Sequence, residues 1–113
     1  MSQVTTHILD TAIGRPAQGV SIVFEKLTTD GIWLKSGEGK TNSDGRIPDL
    51  LAPEIKLTPG TYRLIFDTGT YYKSLAVKGF YPSVTIAFEM SDDSHYHVPL
   101  LLNPFGYSTY RGS

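Results

Sequence analysis

Two of the three histidines in this 113-residue chain stand in one short run, His95-Tyr96-His97, and the third is His7. An imidazole, with a reference pKa of about 6.5, is the side chain best suited to exchange a proton near neutrality. The chain ends on Tyr110-Arg111-Gly112-Ser113, which adds an always-charged guanidinium, a flexible glycine and a hydroxyl. One C-terminal hairpin therefore carries an imidazole pair and an arginine that could meet around a small, polar, anionic ligand.

Three chemistries could use these groups. The spacing His95-x-His97 puts two imidazoles on one strand face, and His7 would make a third ligand for a metal ion. Ser113 or Ser108 could serve as a nucleophile, but the chain has neither a nucleophile-elbow motif nor an Asp or Glu beside a histidine. General acid–base hydrolysis needs only an imidazole to activate water and an arginine to hold an oxyanion or amide carbonyl. Asp30, Asp44, Asp92 and Asp93 fall at turns, where carboxylates bond the local backbone.

Bulk composition narrows the classes. A net charge of −1 with no charge run leaves no basic stripe for a nucleic acid. No apolar stretch approaches the roughly 18–20 residues of a membrane span. With no cysteine, disulfides, thiolate nucleophiles and thiolate-bound zinc are excluded. The N-terminus has no basic and then apolar run of a signal peptide, so a cytoplasmic protein is expected, or a periplasmic or peroxisomal one if a targeting segment has been removed. The length predicts a single domain over 1–113, with little room for a deep internal site. Sizeable concave surfaces would then come from oligomerisation.

The groups must be positioned by strands. Short alternating runs between Gly, Pro, Asp and Asn predict an all-β sandwich of about eight strands. The strands are expected at Val4–Asp10, Val20–Leu27, Ile32–Lys35, a short edge at Arg46-Ile47, Thr61–Asp67, Ser83–Met90, His95–Leu102 and Gly106–Arg111. Gly14-Arg15-Pro16 reads as a loop, and residues 70–77 as a short helix with Asp67-Thr68 as caps. On the first strand Val4 and Ile8 share a face, so His7 points the other way with Thr5 and Leu9. On the seventh, Tyr96, Val98, Leu100 and Leu102 form the apolar stripe, and His95 and His97 face away from it. Histidines turned from the core are placed for chemistry rather than packing.

The residues that carry this pattern resemble a known family. His7-Ile8-Leu9-Asp10-Thr11, Gly14-Arg15-Pro16-Ala17, Thr41-Asn42-Ser43-Asp44-Gly45-Arg46, Gly60-Thr61-Tyr62 and Phe80-Tyr81-Pro82 lead to His95-Tyr96-His97-Val98-Pro99-Leu100-Leu101-Leu102 and the terminal Tyr-Arg-Gly-Ser. Over essentially its whole length the chain resembles the 5-hydroxyisourate hydrolases, the enzymatic branch of the transthyretin-like proteins. The tail motif separates them from hormone-carrying transthyretins. Asn103 and Phe105 depart from the Ser and Tyr common there, at positions with no proposed role.

The resemblance implies a transthyretin-like two-sheet sandwich, assembled as a homotetramer, a dimer of dimers. It also implies that the first, fourth, seventh and eighth strands share a sheet, bringing His7, Arg46, His97 and Arg111 with Ser113 to one outer face. The implied reaction is hydrolysis of 5-hydroxyisourate to 2-oxo-4-hydroxy-4-carboxy-5-ureidoimidazoline in urate degradation, without metal or cofactor. His7, Arg46, His97 and Ser113 carry over as the catalytic set. Tyr110 and Arg111 join His7, Arg46 and Ser113 as substrate-binding groups. Which histidine is the base stays open, and His95 is expected to be a partly exposed neighbour. The rival reading is a carrier binding a flat aromatic ligand in the channel between dimers.

Overall fold

Alternation along the strands decides the layering. In the computed structural model, which describes residues 2–113, the elements run β1 (Val4–Asp10), β2 (Arg15–Pro16), β3 (Ser21–Leu27), β4 (Trp33–Lys40), β5 (Gly60–Phe66), α1 (Thr68–Ser74), β6 (Val84–Met90), β7 (Tyr96–Asn103) and β8 (Gly106–Thr109). They form two four-stranded sheets, ordered β2-β1-β7-β8 and β4-β3-β5-β6. Every second residue of β1 and β7, and of β5 from Tyr62 on, is buried, so each sheet turns one apolar face to the other. The transthyretin-like sandwich with one short helix is the observed architecture.

The core is made by these inner faces. Val4 and Ile8 of β1, Ile22 and Phe24 of β3, Tyr62, Leu64 and Phe66 of β5, and Val98 and Leu100 of β7 are all buried. Phe24 and Tyr62 stack with ring centroids 5.3 Å apart. Burial of each such side chain is worth about 1.5–3 kcal/mol, which holds the sheets in fixed relation and makes the outer faces rigid platforms. Asp10 is an exception, a carboxylate on the inner face of β1. Its Oδ2 accepts a hydrogen bond from the Tyr71 hydroxyl at 2.8 Å and its Oδ1 one from the Ala12 amide at 3.0 Å. Both bonds satisfy a group that would be costly to bury alone.

Four expectations about elements need correction. Arg46-Ile47 is not a strand: Arg46 makes one antiparallel bridge to His7, Ile47 turns into the core, and Pro48 has no amide to extend a ladder. The eighth strand is instead Arg15–Pro16, expected to be loop, which pairs with Asp10 and Leu9 of β1. The helix begins at Thr68 rather than residue 70, because the Asp67 carboxylate caps it by accepting from the Thr70 amide at 3.2 Å. It stops at Ser74 rather than residue 77, where Ala76 takes a left-handed φ of 56°. At the C-terminus the ladder ends at Thr109, and Gly112 returns to β7 as an isolated bridge to His97.

Candidate active site

Four segments lie side by side across the outer face of the first sheet. β1 and β7 run parallel with Thr5 beside His97 and His7 beside Pro99. Since Val4, Thr6 and Ile8 are buried, Thr5 and His7 must face outward, about 6.6 Å apart along the strand. Arg46 bridges His7 on the edge of β1 that also carries β2, and Gly112 bridges His97 from the β8 side.

Arg46 is held by the turn before it. The Asn42 side-chain oxygen accepts from the amides of Asp44 at 2.9 Å and Arg46 at 3.1 Å. Gly45, at φ 73°, sits so close to β1 that a Cβ would strike the Ile8 carbonyl, and its own carbonyl accepts from the Ile8 amide at 2.9 Å. The turn is thereby pinned to β1 with Arg46 beside His7. The Arg46 guanidinium donates to His7 Nδ1 at 3.3 Å.

Gly112 plays the matching part on the other flank. Its amide donates to the His97 carbonyl at 2.8 Å. A Cβ there would lie 2.5 Å from His97 Cδ2, so only glycine lets the tail rest against the imidazole. Ser113 then ends in a cleft of about 470 Å³ shared with Thr5, Asn42, Asp44, Arg46, His95 and His97. His7 adjoins that cleft through the Arg46 guanidinium.

Both His7 and His97 titrate below the ordinary imidazole value. Partial burial is the main cause for each, and the Arg46 charge is the next; for His97 the neighbouring His95 and His7 add to it. His7 and His97 are therefore neutral beside the fixed Arg46 cation at neutral pH. Such a site can take a proton from water and stabilise negative charge on a carbonyl oxygen.

The four residues expected as a catalytic set do converge. The tail arginine does not join them within the protomer. Arg111 lies over the Tyr96 ring, 4.1 Å from its centroid, and donates to Ser94 Oγ at 3.3 Å and the His95 carbonyl at 3.4 Å. With Tyr110 it lines a separate groove between the sheet edges, beside Phe88 and Val98. The expectation that Arg111 and the imidazole pair enclose one ligand is thus corrected for the single chain: β8 carries residue 111 to the far side of β7. His95 is exposed as expected, its ring stacked at 6.2 Å on that of His97.

Among the described residues no three His, Asp or Glu side chains come together as a metal-holding group. The third-ligand arrangement of His7 with His95 and His97 is not formed; Thr5 Oγ1 stands instead between His95 Nε2 and His97 Nδ1, 2.8 Å from each. Thr5 is the site residue that sequence reasoning missed. Its outward parity with His7 was visible, but its register against His97 was not. Among the described residues, no helix is long and apolar enough to cross a membrane.

Comparison with known proteins agrees with this geometry. The profile of the HIUase/Transthyretin family matches residues 4–112. The chain is 47% identical to the 5-hydroxyisourate hydrolase of Salmonella dublin over 97% of its length and 80% of the relative's. It is 46% identical to that of Mus musculus, over 99% of this chain and 96% of the relative. Among solved structures, that of Klebsiella pneumoniae 5-hydroxyisourate hydrolase superposes with a TM-score of 0.83 at 35% identity, over 97% of this chain and 98% of that one. Sea bream transthyretin in complex with thyroxine superposes at 0.92 with 30% identity, over 98% and 95%. The backbone fold is therefore shared with both a 5-hydroxyisourate hydrolase and a thyroxine-bound transthyretin. With its profile match spanning nearly every residue, the chain belongs to the HIUase/Transthyretin family.

Proposed function

We propose that this chain is a hydrolase that opens 5-hydroxyisourate to 2-oxo-4-hydroxy-4-carboxy-5-ureidoimidazoline, a step of urate degradation in purine metabolism. The observation that carries the reading is the meeting of His7, Arg46, His97 and Ser113 on one sheet face, in a chain nearly half identical to named hydrolases of that substrate.

The chemistry is addition of water to a ring carbonyl followed by breakage of the carbon–nitrogen bond. His97, neutral and lining the cleft, takes the proton from the attacking water. Arg46 places its charge against the carbonyl oxygen as it becomes an oxyanion. A guanidinium can only donate, so neutral His7 accepts on Nδ1 and steadies Arg46, while His97, protonated by the first step, returns that proton to the leaving nitrogen as the carbon–nitrogen bond breaks. Ser113, which lines the cleft, orients water or substrate through its hydroxyl. Metal and cofactor have no part in this scheme.

A cleft of this kind on an exposed sheet face gains enclosure when a second face packs over it, as in the proposed dimer of dimers. For Tyr110 and Arg111 to bind substrate they would have to serve the cleft of another subunit. The carrier reading has the superposition on a thyroxine-bound transthyretin in its favour. The polar, titratable lining disfavours a flat apolar ligand.

The deciding measurement follows the ultraviolet absorbance of freshly made 5-hydroxyisourate. It should decay faster with the protein than without, and His97→Ala should remove the difference. An unchanged decay with the wild-type protein, together with saturable binding of an iodinated phenol, would instead establish the carrier.

A further inference from the structure

Thr5 Oγ1 lies 2.8 Å from His97 Nδ1 and 2.8 Å from His95 Nε2. A hydroxyl owns one proton and can donate to only one of these nitrogens. At least one ring must therefore carry its own N–H toward Thr5. The choice matters, because Thr5 occupies Nδ1 of His97 and leaves Nε2 for the cleft.

We propose that Thr5 is a positioning residue that sets the tautomer of His97, accepting from its Nδ1–H while donating to His95 Nε2, so that His97 Nε2 faces the cleft as a bare lone pair. The proposal rests on the hydrolase reading only in giving that lone pair a task, the removal of a proton from water.

Three features favour this arrangement over its reverse. Arg46 lines the same cleft, and a lone pair facing a cation is favoured over an N–H aimed at it. Thr5 and His97 are direct neighbours in the parallel ladder, so their contact is set by backbone register rather than by flexible side chains. His95 is exposed and free to adopt the accepting tautomer, and its ring stacks on that of His97. Thr5 does for His97 what a hydrogen-bond partner does for any functional histidine, fixing one nitrogen to define the other. It also gives His95 a role, as acceptor of the Thr5 proton.

The test pairs a spectroscopic signature with kinetics. Nitrogen-15 NMR of histidine-labelled protein at about pH 8, where imidazoles are neutral, should find the His97 proton on Nδ1. In Thr5→Val, whose β-branched side chain suits the strand, the proton should move to Nε2. The kcat for 5-hydroxyisourate should fall about tenfold, the worth of one good hydrogen bond, with KM within about twofold. Thr5→Ser should restore both. His95→Ala, at an exposed position, should free the hydroxyl to donate to His97 and shift the same tautomer. An unmoved His97 tautomer in both Thr5→Val and His95→Ala, or an unchanged kcat in Thr5→Val, would overturn the proposal. Wild-type protein inert toward 5-hydroxyisourate would overturn the hydrolase reading instead, while the tautomer result would still stand or fall by itself.

Discussion

The Arg46 guanidinium donates to His7 Nδ1 across 3.3 Å, and this contact makes a cation and a neutral base into one unit. A positive charge held there resists protonation of the ring, which is why His7 titrates below the ordinary imidazole value in addition to the effect of its burial.

Removing that charge has two readable consequences. Arg46→Met should lower kcat/KM for 5-hydroxyisourate by about 10²–10³-fold, as expected when an oxyanion donor is lost. It should also raise the pKa of His7 toward, but not fully to, the unperturbed value, because the larger effect of burial remains. An NMR titration of the variant checks the second point without reference to activity.

The wild-type pH profile follows from the same directions. Both His7 and His97 are depressed, so the neutral forms persist as pH falls through about 6.5, and the acid limb of kcat should lie below that value. In stability terms the unfolded chain binds the extra protons first. The contribution from these groups is therefore complete above about pH 6.5 and is lost as pH drops through the folded values. A limb at or above pH 7 would show that other groups control the rate.

Gly112→Ala probes the tail without altering a polar group. The added methyl would meet His97 Cδ2 at 2.5 Å and Pro99 Cγ at 3.2 Å, so either the imidazole or Ser113 must move. A misplaced group of this kind costs about 10²-fold in rate. The melting temperature should hardly change, because the core lies on the opposite face of β7. Thermal melts alongside the absorbance assay separate the two effects.

Tyr71→Phe tests the buried polar pair at the end of β1. It deprives the Asp10 carboxylate of its side-chain donor while keeping the ring, and should destabilise by about 1–3 kcal/mol. Desolvation and the nearby Asp10 both push the Tyr71 phenol up, so it stays a donor across the working range and the loss should not depend on pH near neutrality. Chemical denaturation at two pH values provides the check.

Much of this site was legible because strand faces are local. Thr5 and His7 had to leave the face occupied by Val4 and Ile8, whatever the rest of the chain did. Asp10 shows the limit of the same rule: alternation put a carboxylate inside, and nothing local could name Tyr71, sixty-one residues away, as its partner.

Residue types and their two-residue period alone determined the sandwich, the outward histidines and the small flexible tail. Tertiary structure decided which of these groups meet. The parallel register of β1 against β7 set Thr5 beside His97, the turn pinned at Gly45 brought Arg46 to His7, and the return of Gly112 to β7 put Ser113 in the cleft. It also sent Arg111 over Tyr96, away from the imidazoles its sequence neighbourhood suggested. The reason is physical: a face is fixed within one strand by backbone geometry, but a neighbour is fixed by how distant strands close around the shared core.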